Sequence, residues 1–190
     1  MSFFFSIAIF SELARWLLSI VAVTGFNMHN MESQLNILFL CTCNSSRSIL
    51  AEATFNELAP AYMYAMSAGS QPTGKVNPRS LALLKREGIP ADGHYSKSWN
   101  NLPVTPDIVI TVCADAASAT CPAHLGNVIR AHWGVDDPSK ATGPRGEIDA
   151  AFERVYRTLR RRIETFLTLP SELIADKSAL ANELARIGRL

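Results

Sequence analysis

The chain predicts an α/β domain in which helices cover both faces of a parallel sheet, and three observations carry that expectation. From Leu35 onward, short apolar runs alternate with segments of helical periodicity. The 190 residues fit one domain better than two. Turn and cap residues also fall between these runs where helices and strands must begin and end.

The elements can be taken in order. The opening stretch, "MSFFFSIAIFSELARWLLSIVAVTGF", is the most hydrophobic in the chain. Glu12 and Arg15 interrupt it, so the apolar run from Trp16 to Phe26 falls well short of the ~20 residues a bilayer span needs. It lacks the basic start and small-residue cleavage site of a signal peptide. Residues 1–32 are expected to lie outside the core, with Met28 or Met31 as a natural beginning. "NILFL" reads as the first buried strand. A helix from Ser48 to Leu58 follows, with Ile49, Leu50, Ala53 and Phe55 at helical spacing and Pro60 as its stop. A second strand is expected from Tyr62 to Ser67. Asn77 and Pro78 suit an N-cap and first turn for a helix running to Arg86, closed by Gly88. "DIVITVC", Asp107 to Cys113, is the third strand and "NVIRAHW" the fourth. The long segment from Gly146 to Leu169 places Ile148, Phe152, Val155, Leu159, Ile163 and Phe166 on one face, with Arg160 to Arg162 read as solvated. One more helix, Ser171 to Ile187, follows Pro170 as a C-terminal extension, residues 171–190, beyond a catalytic domain of residues 33–170.

Composition narrows the function. A formal net charge of +1 gives no global field for nucleic acid or an acidic membrane, so recognition of an anion must be local. Four cysteines, Cys41, Cys43, Cys113 and Cys121, in apolar surroundings fit thiol chemistry in a reducing compartment, the cytoplasm, better than a disulfide scaffold.

The stretch "LNILFLCTCNSSRSILAEA" joins these points. In open parallel sheets, ligands bind beyond the carboxyl ends of the strands, where loops meet helix N-termini. Cys41 ends a strand, and Arg47 and Ser48 open a helix. The backbone N–H groups of Thr42, Cys43, Asn44, Ser45 and Ser46 would form a cradle for a tetrahedral oxyanion at the positive end of the helix dipole. Arg47 would add a bidentate fork, and Ser48 would donate to the thiolate of Cys41, whose acidity the same field raises. A lone cysteine at a strand end is more often a small buried hydrophobe, but the strand, polar loop and helix around this one are what a reactive thiol requires.

This loop resembles that of the low-molecular-weight protein tyrosine phosphatases and of the arsenate reductases built on the same fold, and "HWGVDDPSK" is similar to their later loop with its Asp-Pro pair. The resemblance runs from about Leu35 to Leu169. It implies a flavodoxin-like four-stranded sheet, with Cys41 as nucleophile, Arg47 as oxyanion clamp and Asp137 as the acid before Pro138. Cys43 departs from the family pattern. Thiolate attack begins both activities, so the loop alone leaves phosphatase and reductase open. "ITVCADAASATCPAH" resembles the redox segment of thioredoxin-coupled arsenate reductases. That likeness implies that Cys113 resolves the arsenic adduct and that Cys121 takes over the disulfide. The alternative for this pair is simple burial of apolar cysteines. Ser139 and Lys140 stand where a tyrosine phosphatase is expected to carry aromatic residues, which favours a small inorganic substrate.

The resemblance therefore implies an arsenate reductase with residual phosphatase activity, and a tyrosine phosphatase or a non-catalytic oxyanion sensor stand as alternatives. Expected partners are arsenate or phosphate and, as reductant, thioredoxin or glutaredoxin with glutathione. No bound cofactor is expected, because electrons come from the external thiol. His124 and His132 read as structural, and no spacing marks a metal site. Asn44, Glu52 and Ser67 match positions that hold a potassium ion in some reductases of this type, although Asn44 could serve only to support the loop.

Overall fold

The computed structural model describes residues 34–113 and 125–190, so the expectations for residues 1–32, for Cys121 and for His124 fall outside the described residues. Four strands form one parallel sheet: β1 (Leu35–Cys41), β2 (Met63–Gly69), β3 (Ile108–Thr111) and β4 (Ile129–His132), in the spatial order β2-β1-β3-β4. After β1 the chain builds β2 on one side and then crosses to place β3 on the other. The reversal falls between β1 and β3, which is where a crevice opens in such sheets. Register aligns the carboxyl ends: Cys41 lies opposite Gly69, and Leu40 lies opposite Thr111.

The helices are α1 (Arg47–Leu58), α2 (Pro78–Arg86), α3 (Arg145–Leu167), α4 (Ser171–Ala175) and α5 (Lys177–Ile187), with a 3-10 turn at Pro138–Lys140. One face of the sheet carries the larger core, where Phe39, Phe55, Trp133 and Phe166 pack with ring centroids 5.8–6.5 Å apart. Fully burying a side chain such as Phe contributes about 1.5–3 kcal/mol, so this cluster anchors α1 and α3 to the sheet. On the other face, Leu38, Leu40, Met66, Val109 and Leu125 are buried, with Trp99 and Leu102 packed against them. No helix among the described residues is long and apolar enough to cross a membrane.

Cap chemistry sets the helix ends. Asn77 Oδ1 accepts the N–H of Arg79 at 2.9 Å, with Pro78 in the first turn of α2, and Gly88 follows that helix at φ 75°.

Three expectations need correction. The third strand stops at Thr111, so the buried Val112 and Cys113 belong to the segment beyond it. The C-terminal helix is two helices, because the Asp176 side chain accepts the N–H groups of Ser178 and Ala179 and starts α5 afresh. Residues 171–190 also pack into the main core through Leu180, Leu184 and Ile187, and Leu184 O accepts the indole N–H of the buried Trp133 at 2.9 Å. Finally, Arg162 is not solvated. It lies three residues after Leu159 and four before Phe166, on their face of α3, and is buried there. Its guanidinium donates to Trp133 O at 2.8 Å, Gly134 O at 3.3 Å and Leu190 O at 3.3 Å. It thus ties the segment leading to Asp137 to both α3 and the last residue.

Candidate active site

Between Cys41 and Arg47 the chain turns from β1 into α1, and the hydrogen bonds of this loop show which way its peptides face. Its carbonyls are taken from outside: Cys41 O by Ser70 N–H, Thr42 O by Gln71 N–H, Cys43 O by Thr73 N–H and by the Ser96 hydroxyl, and Ser45 O by Asn77 N–H, at 2.8–3.2 Å. With the carbonyls drawn outward, the amides of the loop turn inward. Those of Cys43, Ser45, Ser46, Arg47 and Ser48 donate to no acceptor among the described residues. Ser46 Oγ is likewise buried without a partner there. Unpaired donors around the N-terminus of a helix form a site for an anion.

Asn44 holds the loop in shape. It adopts φ 45°, a left-handed backbone that Asn tolerates better than most residues, and its N–H donates to Cys41 Sγ at 3.0 Å. The amide orientation of its side chain follows from an unambiguous donor: Lys97 N–H points at Oδ1, 2.7 Å away. Nδ2 therefore donates to Ser48 Oγ at 2.9 Å and Ser67 Oγ at 2.8 Å. Each hydroxyl, having accepted from Asn44, turns its own hydrogen onward. Ser67 donates to Glu52 Oε2 at 2.6 Å, and Ser48 donates to Cys41 Sγ at 3.0 Å. The network thus points two donors at the sulfur of Cys41. Gly69 completes the fit: a Cβ there would lie 2.5 Å from Thr42 O, so the end of β2 can approach the loop only without a side chain.

Cys113 lies just beyond β3, which pairs with β1, and its sulfur is 3.8 Å from the Thr42 hydroxyl. The two thiols shift each other's acidity in opposite directions. Contact with Cys113 and then burial push the Cys41 thiol up. The neighbouring Cys41, then the charge of Arg47 and the backbone of Thr42, hold the Cys113 thiol below its ordinary range against its burial. In such a pair the ionisation of one thiol opposes that of the other.

Arg47 is buried, and its guanidinium donates to Asp137 Oδ2 at 2.8 Å and Val135 O at 3.3 Å. Asp137 is extended (φ −83°, ψ 106°), as the residue before a proline should be, and its Oδ1 accepts the N–H and hydroxyl of Ser139. The expected nucleophile, clamp, acid and second thiol therefore converge at one end of the sheet. Cys43 is half-buried, and its carbonyl is held outward by Thr73 and Ser96. His132 lies at the end of β4 with Nδ1 2.8 Å from the Thr111 hydroxyl. Gly69, Ser96, Lys97 and His94 escaped the sequence reading. No local pattern could reveal Lys97, which reaches Asn44 from 53 positions away.

The family model for low molecular weight phosphotyrosine protein phosphatase matches residues 36–179. An arsenate reductase of Halalkalibacterium halodurans is 40% identical over 131 residues, covering 68% of this chain and 93% of that protein. An arsenate reductase of Bacillus subtilis is 36% identical over 137 residues, covering 72% and 96%. Among solved structures, an arsenate reductase from Archaeoglobus fulgidus superposes with a TM-score of 0.59 at 23% identity, covering 70% of this chain and 99% of that one.

Proposed function

The chain belongs to the low molecular weight phosphotyrosine protein phosphatase family, and from that premise we propose that it is an arsenate reductase, the activity for which its relatives at 36–40% identity are named. The observation that carries this reading is a second thiol at the same end of the sheet: Cys113 lies just beyond β3, the neighbour of the strand that Cys41 ends, with its sulfur 3.8 Å from the hydroxyl of Thr42. Hydrolysis of a phosphate ester needs one thiol, whereas reduction of arsenate needs a second within reach of the first.

Arsenate binds to the inward amides of the loop, and Arg47 turns part of its fork to the bound oxygens. The Cys41 thiolate attacks arsenic(V) and an oxygen leaves as water, the proton coming from Asp137, which forms a Cys41–arsenic(V) thioester. The Cys113 thiolate then attacks Cys41 Sγ. A sulfur–sulfur bond forms, the sulfur–arsenic bond breaks with its electron pair passing to arsenic, and arsenite, arsenic(III), departs. Two thiols are oxidised for the two electrons gained. Cys121 would take over the disulfide and present it to an external dithiol, thioredoxin or glutaredoxin with glutathione. A cycle that must regenerate free thiols belongs in a reducing compartment, and we assign it to the cytoplasm.

Steady-state assay with arsenate and with an aryl phosphate, each with thioredoxin or glutaredoxin systems supplied, tests the reading. Arsenite release coupled to oxidation of the donor is expected, with only weak phosphatase turnover. Efficient phosphatase turnover without arsenate reduction would overturn the reading.

A further inference from the structure

Glu52 is a buried carboxylate one turn into α1, and a cation already sits on it. Lys97 Nζ donates to both of its oxygens, at 3.1 and 3.2 Å, and the two side chains are only 11% and 8% exposed. The ammonium also lies 4.8 Å from the centre of the Tyr95 ring, a second favourable partner for a positive charge. A bound potassium ion does not fit the residues expected to hold it. Such an ion needs converging oxygen lone pairs. Here Asn44 turns Nδ2, not oxygen, toward Ser67, and its Oδ1 is engaged by Lys97 N–H. The Ser67 hydroxyl accepts from Asn44 and gives its hydrogen to Glu52, while the two Glu52 oxygens face an ammonium. With His94 Nδ1 3.8 Å from Glu52 Oε2, the carboxylate is surrounded by donors.

We propose that Lys97 is the resident cation of the oxyanion loop, a positioning residue that stands in for a bound monovalent metal ion. The strap closes on itself. The backbone N–H of Lys97 holds Asn44 Oδ1 while its ammonium holds Glu52, and Glu52, Ser67 and Asn44 are joined by hydrogen bonds between these two anchors. The ring fixes the rotamer and the left-handed backbone of Asn44, and through them the N–H and the Ser48 hydroxyl aimed at Cys41. Removing the ammonium leaves the buried carboxylate with only the His94 ring and the Ser67 hydroxyl beside it, and small cations can then enter to neutralise it.

This inference rests on the oxyanion-binding part of the proposed function but not on reduction, so its readouts avoid turnover. Melting temperature and the affinity for inorganic phosphate, by calorimetry, are measured for the wild type, Lys97→Met and Lys97→Arg in choline, sodium and potassium chloride at equal ionic strength. The wild type and Lys97→Arg should be indifferent to the cation. In choline, Lys97→Met should melt on the order of 6–12 °C lower and bind phosphate roughly 5-fold or more weakly, with both losses partly reversed by potassium. Four results would each overturn the inference: a wild type stabilised by potassium, a Lys97→Met variant unchanged in choline, one that potassium does not restore, or a Lys97→Arg variant that responds to potassium. If Lys97→Met does not fold in choline, recovery of folded protein in potassium is the expected result, and failure in every salt overturns the inference. A wild type that binds no phosphate would instead sink the proposed function, while the melting series would still decide the role of Lys97.

Discussion

Replacing Asn44 by alanine should be among the most damaging single changes in this chain, and the hydrogen bonds around it allow the loss to be worked out. Lys97 N–H would lose its acceptor in a half-buried site, at about 1–3 kcal/mol. Ser48 and Ser67 would each lose the donor from Nδ2 but keep their bonds to Cys41 and Glu52, about 0.5–1.5 kcal/mol apiece. Alanine at φ 45° adds about 1 kcal/mol of backbone strain. The sum, about 3–7 kcal/mol, is comparable to the whole stability of many domains. Urea denaturation measures it as a shift in midpoint at unchanged slope. Asn44→Gly, which relieves the strain but restores no hydrogen bond, should recover about 1 kcal/mol. A loss below 1 kcal/mol for alanine, or a glycine variant no better than alanine, would refute the claim that this side chain and its backbone angle hold the loop.

Three further outcomes follow from the same geometry. Asp137→Asn should lower arsenate turnover by about 10²-fold or more, the usual scale for a positioned acid, while Asp136→Asn leaves it unchanged; the reverse pattern in steady-state rates would reassign the acid. Cys41→Ser should abolish turnover yet still bind phosphate in a calorimeter, because the amides and Arg47 remain, and loss of binding as well would contradict that division of labour. Stability should peak between the titrations of Glu52 and His94. Burial raises the Glu52 carboxyl, but His94 and Lys97 outweigh it and hold the carboxyl below its ordinary 4.5, so its contribution is present above that pH and is lost as pH falls through the lowered value. Glu52 raises His94 above 6.5, against burial, so the His94 contribution is complete below 6.5 and is lost as pH rises through the raised value. A urea midpoint measured against pH should fall on both sides of this window, and His94→Gln should abolish the alkaline decline.

Much of the architecture was legible because local chemistry sets it. Asn77, Pro78 and Gly88 mark α2 wherever they stand, and a buried strand such as β1 announces itself by its apolar run. The loop was legible for the same reason, since Cys41, Arg47 and Ser48 are neighbours along the chain. Long-range partners were not. Arg162 sits in a run of three arginines that reads as solvated, and only the approach of Trp133 and Leu190 to α3 gives its guanidinium buried acceptors. Gly69 looks like any glycine after a strand until the carbonyl of Thr42 arrives beside it. The break at Asp176 was readable in principle, because aspartate followed by Lys177 and Ser178 suits an N-cap, but the helical periodicity on either side masked it.

The central claim is that Cys41 captures arsenate and Cys113 releases it as arsenite. Reduced Cys121→Ser protein, which cannot pass the disulfide onward, is given one equivalent of arsenate without external reductant, quenched by alkylation and digested for mass mapping. The mechanism predicts one arsenite per chain, a Cys41–Cys113 disulfide and an alkylated Cys43. A Cys41–Cys43 bond, or arsenite formed with Cys113 still alkylated, would contradict it.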